Sequence, residues 1–522
     1  MTALRRACCL ATVVAGLSGG VSTDARAAGP EPGSPSGGVR AETTVTAESH
    51  EAFRARDMLD RIEPTQILDV LRAMGGDGTQ PESDESLAEL AERPASPTLL
   101  IPGIAVNPAL EDGFREAVLA AVKAHPRYGE QMARLRETRA IGQEVAAAWQ
   151  PQLAAGVTGG LAFFEGNAND NRRSTAGDGV TSEADAFISG SQLLYDFGAT
   201  ESRIGAAGAA TRAVIGELQE LKATLIFDAV NAGTDILKAR AQLSLADENL
   251  EFHRLIVGFA RDRADAGIGT QGDVLRAEAR LAGAEADRVE IEQAMLEATS
   301  RYVELFGDVP PADTAPGFPP MLALAPENPD AAIAQARSFG AQARVAKAEA
   351  DRRRHEVSAE EAGFWPSLNL QVRATKFDVL EGTPDVEVTG RLVAQVDLYT
   401  GGAADARLRQ ARERLNQASR SADSTLRTLE RDTRIAYDQY RSRTRQLRAI
   451  EQALRQNHRA RLSILQQFRL RGAGLIEVLG TQDDYFGVAR RYVDAFAAAR
   501  MAVYRLSQVT GELPERFAVT QP

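Results

Sequence analysis

Two short stretches place an acid where it can act electrostatically. Residues 269–280 read GTQGDVLRAEAR and residues 474–486 read GLIEVLGTQDDYF. Each has a Gly-rich kink, an acid, Val-Leu and then a helix-forming run. Asp273 and Glu477 therefore fall in the first turn of a helix, where the helix dipole favours a carboxylate. Nothing else converges on chemistry. His50, His125, His253, His355 and His458 are scattered, with no pair at metal-ligand spacing. No G-x-S-x-G, P-loop or dinucleotide fingerprint occurs, so the expectation is a protein that is not an enzyme and holds no cofactor.

The elements that position these acids are written twice. Gly198 closes LLYDFG and Gly402 closes DLYTGG; Asp273 corresponds to Glu477, and Gly307 in VELFG to Gly511 in QVTGE, each pair 204 residues apart. Insertions collect in loops, so a constant offset implies rigid elements of matched length. The pattern is an internal duplication, with a repeat far too long for a solenoid.

The chain has 522 residues, 44% hydrophobic, 25% charged and only 6% aromatic. Tracts dominated by Ala, Arg, Leu and Glu point to extended helices with narrow seams. At the start, Arg5 and Arg6 precede an apolar stretch from Ala7 to Val21, and Ala25-Arg26-Ala27 fits a small-x-small cleavage signal. This predicts a secretory signal peptide over 1–27. Cys8 and Cys9 lie inside it without a lipid-attachment pattern, so the remaining chain has no disulfide and no thiolate metal site. Removing 1–27 moves the net charge from −12 to −14, which argues against nucleic acid as a partner. No segment has the apolar run of a transmembrane helix, so contact with a membrane must come from strands.

Residues 28–103 form an N-terminal extension whose Pro-, Gly-, Ser- and acid-rich parts read as disordered. The first repeat is expected over 104–309, a linker over 310–328, the second repeat over 329–513 and a C-terminal tail over 514–522. Helical periodicity covers 109–148, with Pro126 as a kink or fresh start, then 199–266, 272–305, 329–362, 403–470 and 475–509. At 1.5 Å per residue the tract from Ala403 would be roughly 100 Å long, and such a rod needs neighbours of similar length. Its seam steps by seven through Leu408, Leu415, Ala422, Leu429 and Ala436, then restarts at Tyr440 after a stutter of four.

Between the helical stops and the landmark glycines the period changes to two. In SLNLQVRATKF and DVEVTGRLVAQVDLY apolar residues alternate with polar or charged ones, including Glu387 and Arg391. These read as a hairpin over 366–399 with strands of about 9 to 11 residues, the length that crosses a bilayer at a tilt. A weaker copy lies over 152–197. The alternative is a hairpin packed on a soluble core. Four strands cannot close a barrel, and open edges are not tolerated in lipid, so closure must be shared between subunits.

The duplicated helix-hairpin-helix plan, the WQPQL and FWPSL stops, LLYDFGA and DLYTGGA at the strand-to-helix joins and the Gly-to-Asp-Val-Leu kink occur in one order. Together they resemble the TolC-type outer-membrane factors, over roughly 104–513. The resemblance implies a mainly α fold with a transmembrane β-barrel portion: long coiled-coil helices forming a periplasmic α-barrel, and four strands per chain contributing to a twelve-stranded barrel in a homotrimer. It implies an outer-membrane protein of a Gram-negative bacterium that spans outer-membrane lipid, docks a periplasmic adaptor and works with an inner-membrane ABC transporter or proton-driven pump.

By the same resemblance Asp273 and Glu477 stand where the family places acids of a periplasmic gate, and Arg469 and Arg471 are candidates for its latch. Ala266-Gly267-Ile268 and Gly472-Ala473-Gly474 match the tips that adaptor hairpins grip, and Gly198 and Gly402 mark the strand-to-helix joins. The helix over 109–148 and the missing lipid-attachment cysteine favour type I protein export over small-molecule, multidrug or metal efflux. A periplasmic coiled-coil adaptor or scaffold is the further alternative, though neither needs two alternating hairpins.

Overall fold

The computed structural model describes residues 108–164, 179–311, 326–377, 379, 386–469 and 474–517. The chain separates into two units, Met1–Leu68 and Asp69–Pro522, and every described residue belongs to the second. The signal peptide over 1–27, the extension over 28–103 and most of the 310–328 linker and 514–522 tail lie outside the described residues.

The elements run α1 (Pro108–Ala124), α2 (Pro126–Ala146), a 3₁₀ turn (Ala147–Trp149), β1 (Gln152–Phe164), β2 (Gly179–Tyr195), α3 (Ala199–Asp265) and α4 (Gln271–Phe306). The second half follows as α5 (Pro329–Phe339), α6 (Ala341–Ala362), β3 (Ser367–Lys376), β4 (Val386–Gln395), α7 (Ala403–Arg469), α8 (Leu475–Thr510) and the short α9 (Leu513–Arg516). α3 and α7 have 67 residues each and α4 and α8 have 36 each. The starts of α3 and α7, at Ala199 and Ala403, and of α4 and α8, at Gln271 and Leu475, keep the offset of the landmark glycines. The periodicity in the sequence is thus a periodicity of whole elements.

Two helical tracts are broken, the first at the Pro126 that the sequence marks as a kink or fresh start. Between α1 and α2, Pro126 forces His125 into an extended conformation (φ −65°, ψ 130°), and the His125 ring caps α2 by accepting from the Arg127 amide at 3.2 Å. The tract over 329–362 is a correction: it is two helices, parted at Gly340 (φ −58°, ψ 130°). A Cβ at Gly340 would run into the Ala336 carbonyl oxygen, so any side chain at this bend forces the backbone to shift. The first hairpin is also longer than the second, with strands of 13 and 17 residues against 10 and 10.

The long helices pair as antiparallel hairpins, α3 with α4 and α7 with α8, and α8 lies against α3. Narrow apolar seams hold them. Near the turns, Phe252 and Ile256 of α3, Val274 of α4, Phe468 of α7 and Leu479 of α8 form one cluster, so both hairpins end at a common tip. Higher up, Leu245, Ile291, Leu454, Tyr485 and Val493 form the next. At the far end Phe114 and Val118 of α1 cover Ile226 and Val230 of α3 with Tyr504 and Leu513. Leu218 and Leu135 tie α2 to α3.

Candidate functional site

The four strands form one antiparallel sheet in the order β1-β2-β3-β4. Directly opposed residues share a face, and the register sorts them by polarity. On one face Val157 opposes Ala186, Ala155 opposes Ile188, Leu370 opposes Leu392 and Ala374 opposes Val388. On the other Thr158 opposes Asp185, Ser189 opposes Arg373, Gln371 opposes Arg391 and Thr375 opposes Glu387. Leu153, Val157, Leu161, Ile188, Val386, Val388 and Leu392 are 60–79% exposed, and all lie on the apolar face. A wall of this kind suits hydrocarbon on one side and water on the other. β1 and β4 are its open edges. Across the polar face Arg373 lies over the Phe187 ring at 4.1 Å.

At the strand-to-helix joins a polar side chain turns the chain into each long helix. Asp196, nearly fully buried, accepts from the Thr200 amide at 2.7 Å and the Gly198 amide at 3.3 Å. Its counterpart in the second repeat is Thr400, whose hydroxyl accepts from the Ala404 amide at 3.1 Å. Gly198 (φ 89°) and Gly402 (φ 84°) complete the turns in the left-handed region, where a side chain is penalised. Sequence reasoning singles out only the glycines of LLYDFG and DLYTGG; the polar residue shortly before each of them is the signal for the caps. Beside them Phe197 stacks on Trp365 with ring centres 5.3 Å apart, next to Tyr195. The Trp365 and Tyr195 rings suit a bilayer interface, each having an apolar body and a polar tip.

At the tip Ala266 caps the end of α3, and Gly267 (φ 71°) and the exposed Ile268 make the turn. Thr270 and Asp273 form a reciprocal capping box: the Asp273 amide donates to the Thr270 hydroxyl at 3.2 Å, and the Thr270 amide donates to the Asp273 carboxylate at 3.4 Å. In the second half Gly474 replaces Thr270, so α8 starts without a side-chain cap, and Glu477 is exposed in its first turn. The tip acids are thus unequal, one tied to its own helix and one projecting from it. Arg469 is the last residue of α7; its side chain, together with Arg471, Gly472 and Ala473, lies outside the described residues.

Above the tip is a polar layer that sequence reasoning missed. Arg461 of α7 is 2% exposed, lies over the Tyr485 ring at 4.6 Å and places Nη1 3.5 Å from Glu248 Oε1 on α3. Gln482 of α8 donates to Asn249 of α3 at 2.8 Å. Asp483 of α8 meets Arg280 of α4 at 2.8 Å and the enclosed His253 of α3 at 3.8 Å. Burial holds the His253 pKa below its usual value, against the opposing pull of Asp483. Burial also pushes the Tyr485 hydroxyl up to about 12. Arg461 is one of sixteen arginines in α7, which is why composition gave no sign of it.

Among the described residues no group of three or more His, Cys, Asp or Glu could hold a metal ion, and no helix is long and apolar enough to cross a membrane.

Residues 121–308 match the family model described as outer membrane efflux protein. The outer membrane efflux protein BepC of Brucella suis biovar 1 (strain 1330) is 25% identical over 415 residues, 78% of this chain and 86% of that one. The proteases secretion protein PrtF of Dickeya chrysanthemi is 28% identical over 206 residues, 37% of this chain and 44% of that one. The outer membrane protein VceC of Vibrio cholerae superposes with a TM-score of 0.65 at 18% identity, over 77% of this chain and 96% of that one. The fold is that of VceC: a helical barrel portion with a strand contribution.

Proposed function

We propose that this chain, whose residues 121–308 match the outer membrane efflux protein model, is the outer-membrane exit duct of a tripartite export system, a passive conduit opened by partners at its tip. The sheet carries the reading. It has one exposed apolar face, one polar face and two open edges, and lipid tolerates such a sheet only when its edges are paired. Three chains of four strands supply a closed wall of twelve, and the same ring gives the long helices their missing neighbours. The match over residues 121–308 supports the duct over an adaptor or scaffold.

Asp273 and Glu477 then ring the axis in three copies each. Like charges held close repel and favour cations, so the ring is kept shut only by other contacts; Arg469 and Arg471 are the proposed latch. The turns Ala266-Gly267-Ile268 and Gly472-Ala473-Gly474 are the proposed seats for a periplasmic adaptor. Energy comes from an inner-membrane ABC transporter or proton-driven pump.

The proposed cargo is protein exported by a type I route, a reading supported by the likeness to the proteases secretion protein PrtF. Small-molecule efflux is the second reading, supported by the broader match to the efflux protein BepC. Gene deletion separates them: loss of a secreted protein with unchanged drug susceptibility supports the first, and the reverse pattern supports the second. Channel activity of the purified chain in planar bilayers tests the duct itself, and a water-soluble monomer that never enters lipid overturns it.

A further inference from the structure

A cavity of about 250 Å³ lies where the two repeats meet, lined by α3 of the first and by the α5–α6 bend, α7, α8 and α9 of the second. The end of α8 comes so close to the bend that a Cβ on Gly511 would stand 2.6 Å from the Phe339 carbonyl oxygen. Lys222 of α3 lines this cavity and is 2% exposed. Among the described residues it meets no carboxylate and no hydrogen-bond acceptor; its ammonium lies 5.7 Å from the centre of the Tyr128 ring. Burial holds its pKa below the usual value. An ammonium withdrawn from water without an anion is costly.

Packing does not ask for this charge. The matched position 204 residues on is Leu426 in α7, which packs on an apolar cluster. The repeat thus accepts an apolar side chain at this place, and the lysine has another use. The other cations of the cavity are also short of negative charge. Arg344 of α6 donates to the neutral Gln219 at 2.8 Å, and Arg505 of α8 to the neutral Gln508 at 2.7 Å. The lining acids do not answer them: Glu220 accepts from Gln342 at 2.8 Å, Asp432 pairs with Arg431 at 2.8 Å, and Glu515 is exposed.

We infer that this cavity binds a small oxyanion, a phosphate or a polycarboxylate, held by the Lys222 ammonium and by the Arg344 and Arg505 guanidinium groups. Guanidinium groups match carboxylate and phosphate oxygens in pairs, and a buried ammonium supplies the compact charge beside them. The volume lies below the roughly 300 Å³ at which sites for larger organic ligands begin, so the occupant is a small solute. Because the three cations come from α3, α6 and α8, the bound anion ties the first repeat to the second. The site is independent of the tip and of any cargo.

The test uses the full chain purified in detergent and exchanged into chloride, titrated in a calorimeter with potassium phosphate and, separately, with sodium citrate at constant ionic strength. Saturable binding of at least one of them is expected, with a matching rise in unfolding temperature. Salts that act only by exclusion from the surface stabilise without a saturable heat. The tighter of the two anions tells phosphate from polycarboxylate. Lys222→Met, and separately Arg344→Gln with Arg505→Gln, are each expected to weaken that binding at least about tenfold. In chloride alone Lys222→Met should unfold no earlier than wild type, since it removes a buried charge and keeps an apolar stem. If Lys222→Met does not fold, the arginine pair decides alone. No saturable binding of either anion by wild type, or undiminished binding by the folded variants, overturns the site.

Discussion

His253 on α3 places Nε2 3.8 Å from Asp483 Oδ1 on α8, and its side chain is 2% exposed. Burial lowers the His253 pKa, with Arg280 adding to the effect and Asp483 opposing it. His458 is lowered by burial and by Arg461. In the unfolded chain both titrate near the usual value of about 6.5, so below that pH the unfolded state takes up protons that the folded state refuses, and stability falls. Tyr485 works at the other limit: raised to about 12 in the fold, it stabilises below about pH 10 and loses that contribution as pH rises toward 12. Thermal unfolding of the detergent-solubilised chain should be flat between about pH 7 and 9 and decline toward pH 5.5. His253→Gln should reduce the acid decline; an identical profile in that variant removes the assignment.

Arg461 joins α7 to α3 through Glu248 while its plane covers Phe252 and Tyr485. Truncation loses packing as well as charge. Arg461→Ala is expected to cost about 3 kcal/mol, and exposed Arg459→Ala less than about 0.5 kcal/mol. Denaturant melts of the two variants make the comparison, and equal midpoints would contradict the role given to the buried arginine.

The caps at the strand-to-helix joins should matter in proportion to their burial. Asp196→Ala removes two accepted bonds from a nearly buried carboxylate, and should cost about 2 kcal/mol against about 1 kcal/mol for Thr400→Ala. Asp196→Asn should recover part of the loss. The readout is the temperature at which the assembled protein dissociates in detergent.

Asp273 and Glu477 can be separated as charge and as cap. Asp273→Ala loses both the tip charge and the capping box, whereas Asp273→Asn keeps an acceptor for the cap and loses the charge. If these acids line a gate, Asp273→Asn and Glu477→Gln should both weaken block by multivalent cations in planar bilayers, and only Asp273→Ala should also destabilise α4 by about 1 kcal/mol. Unchanged single-channel records for both neutral variants remove the gate assignment.

The two faces of the sheet should respond oppositely to charge. Val157→Arg, on the apolar face, is expected to cost about 2 to 4 kcal/mol at mid-membrane depth, and Thr158→Arg, on the opposite face, far less. Heat-modifiable migration of the membrane-inserted protein compares them. Equal tolerance would mean that the apolar face does not meet lipid.

Much of this arrangement was legible because it rests on local pattern repeated at a constant offset. The spans Ala403–Arg469 and Leu475–Thr510 differ by a residue at most from what the periodicity of the chain predicts, and the β3–β4 register pairs the residues whose alternation marked the hairpin. The break at Gly340 was hidden because glycine within an Ala-rich run is compatible with helix; that the position needs glycine shows only once the Ala336 carbonyl is placed beside it. The polar layer was hidden for another reason. Glu248 and His253 lie in the first repeat and Arg461 and Asp483 in the second, and side chains of those types are ordinarily solvated.

The equal lengths of α3 with α7 and of α4 with α8 restrict how such a molecule can change its reach. One residue added to a single rod would rotate everything beyond it by about 100° and displace it by about 1.5 Å, taking each knob off its hole. Adding whole heptads to all four rods at once preserves every contact. Depth in this architecture can therefore be adjusted only in steps of about 10 Å, so that a thicker or thinner cell envelope is met by discrete editions of the protein and not by gradual drift.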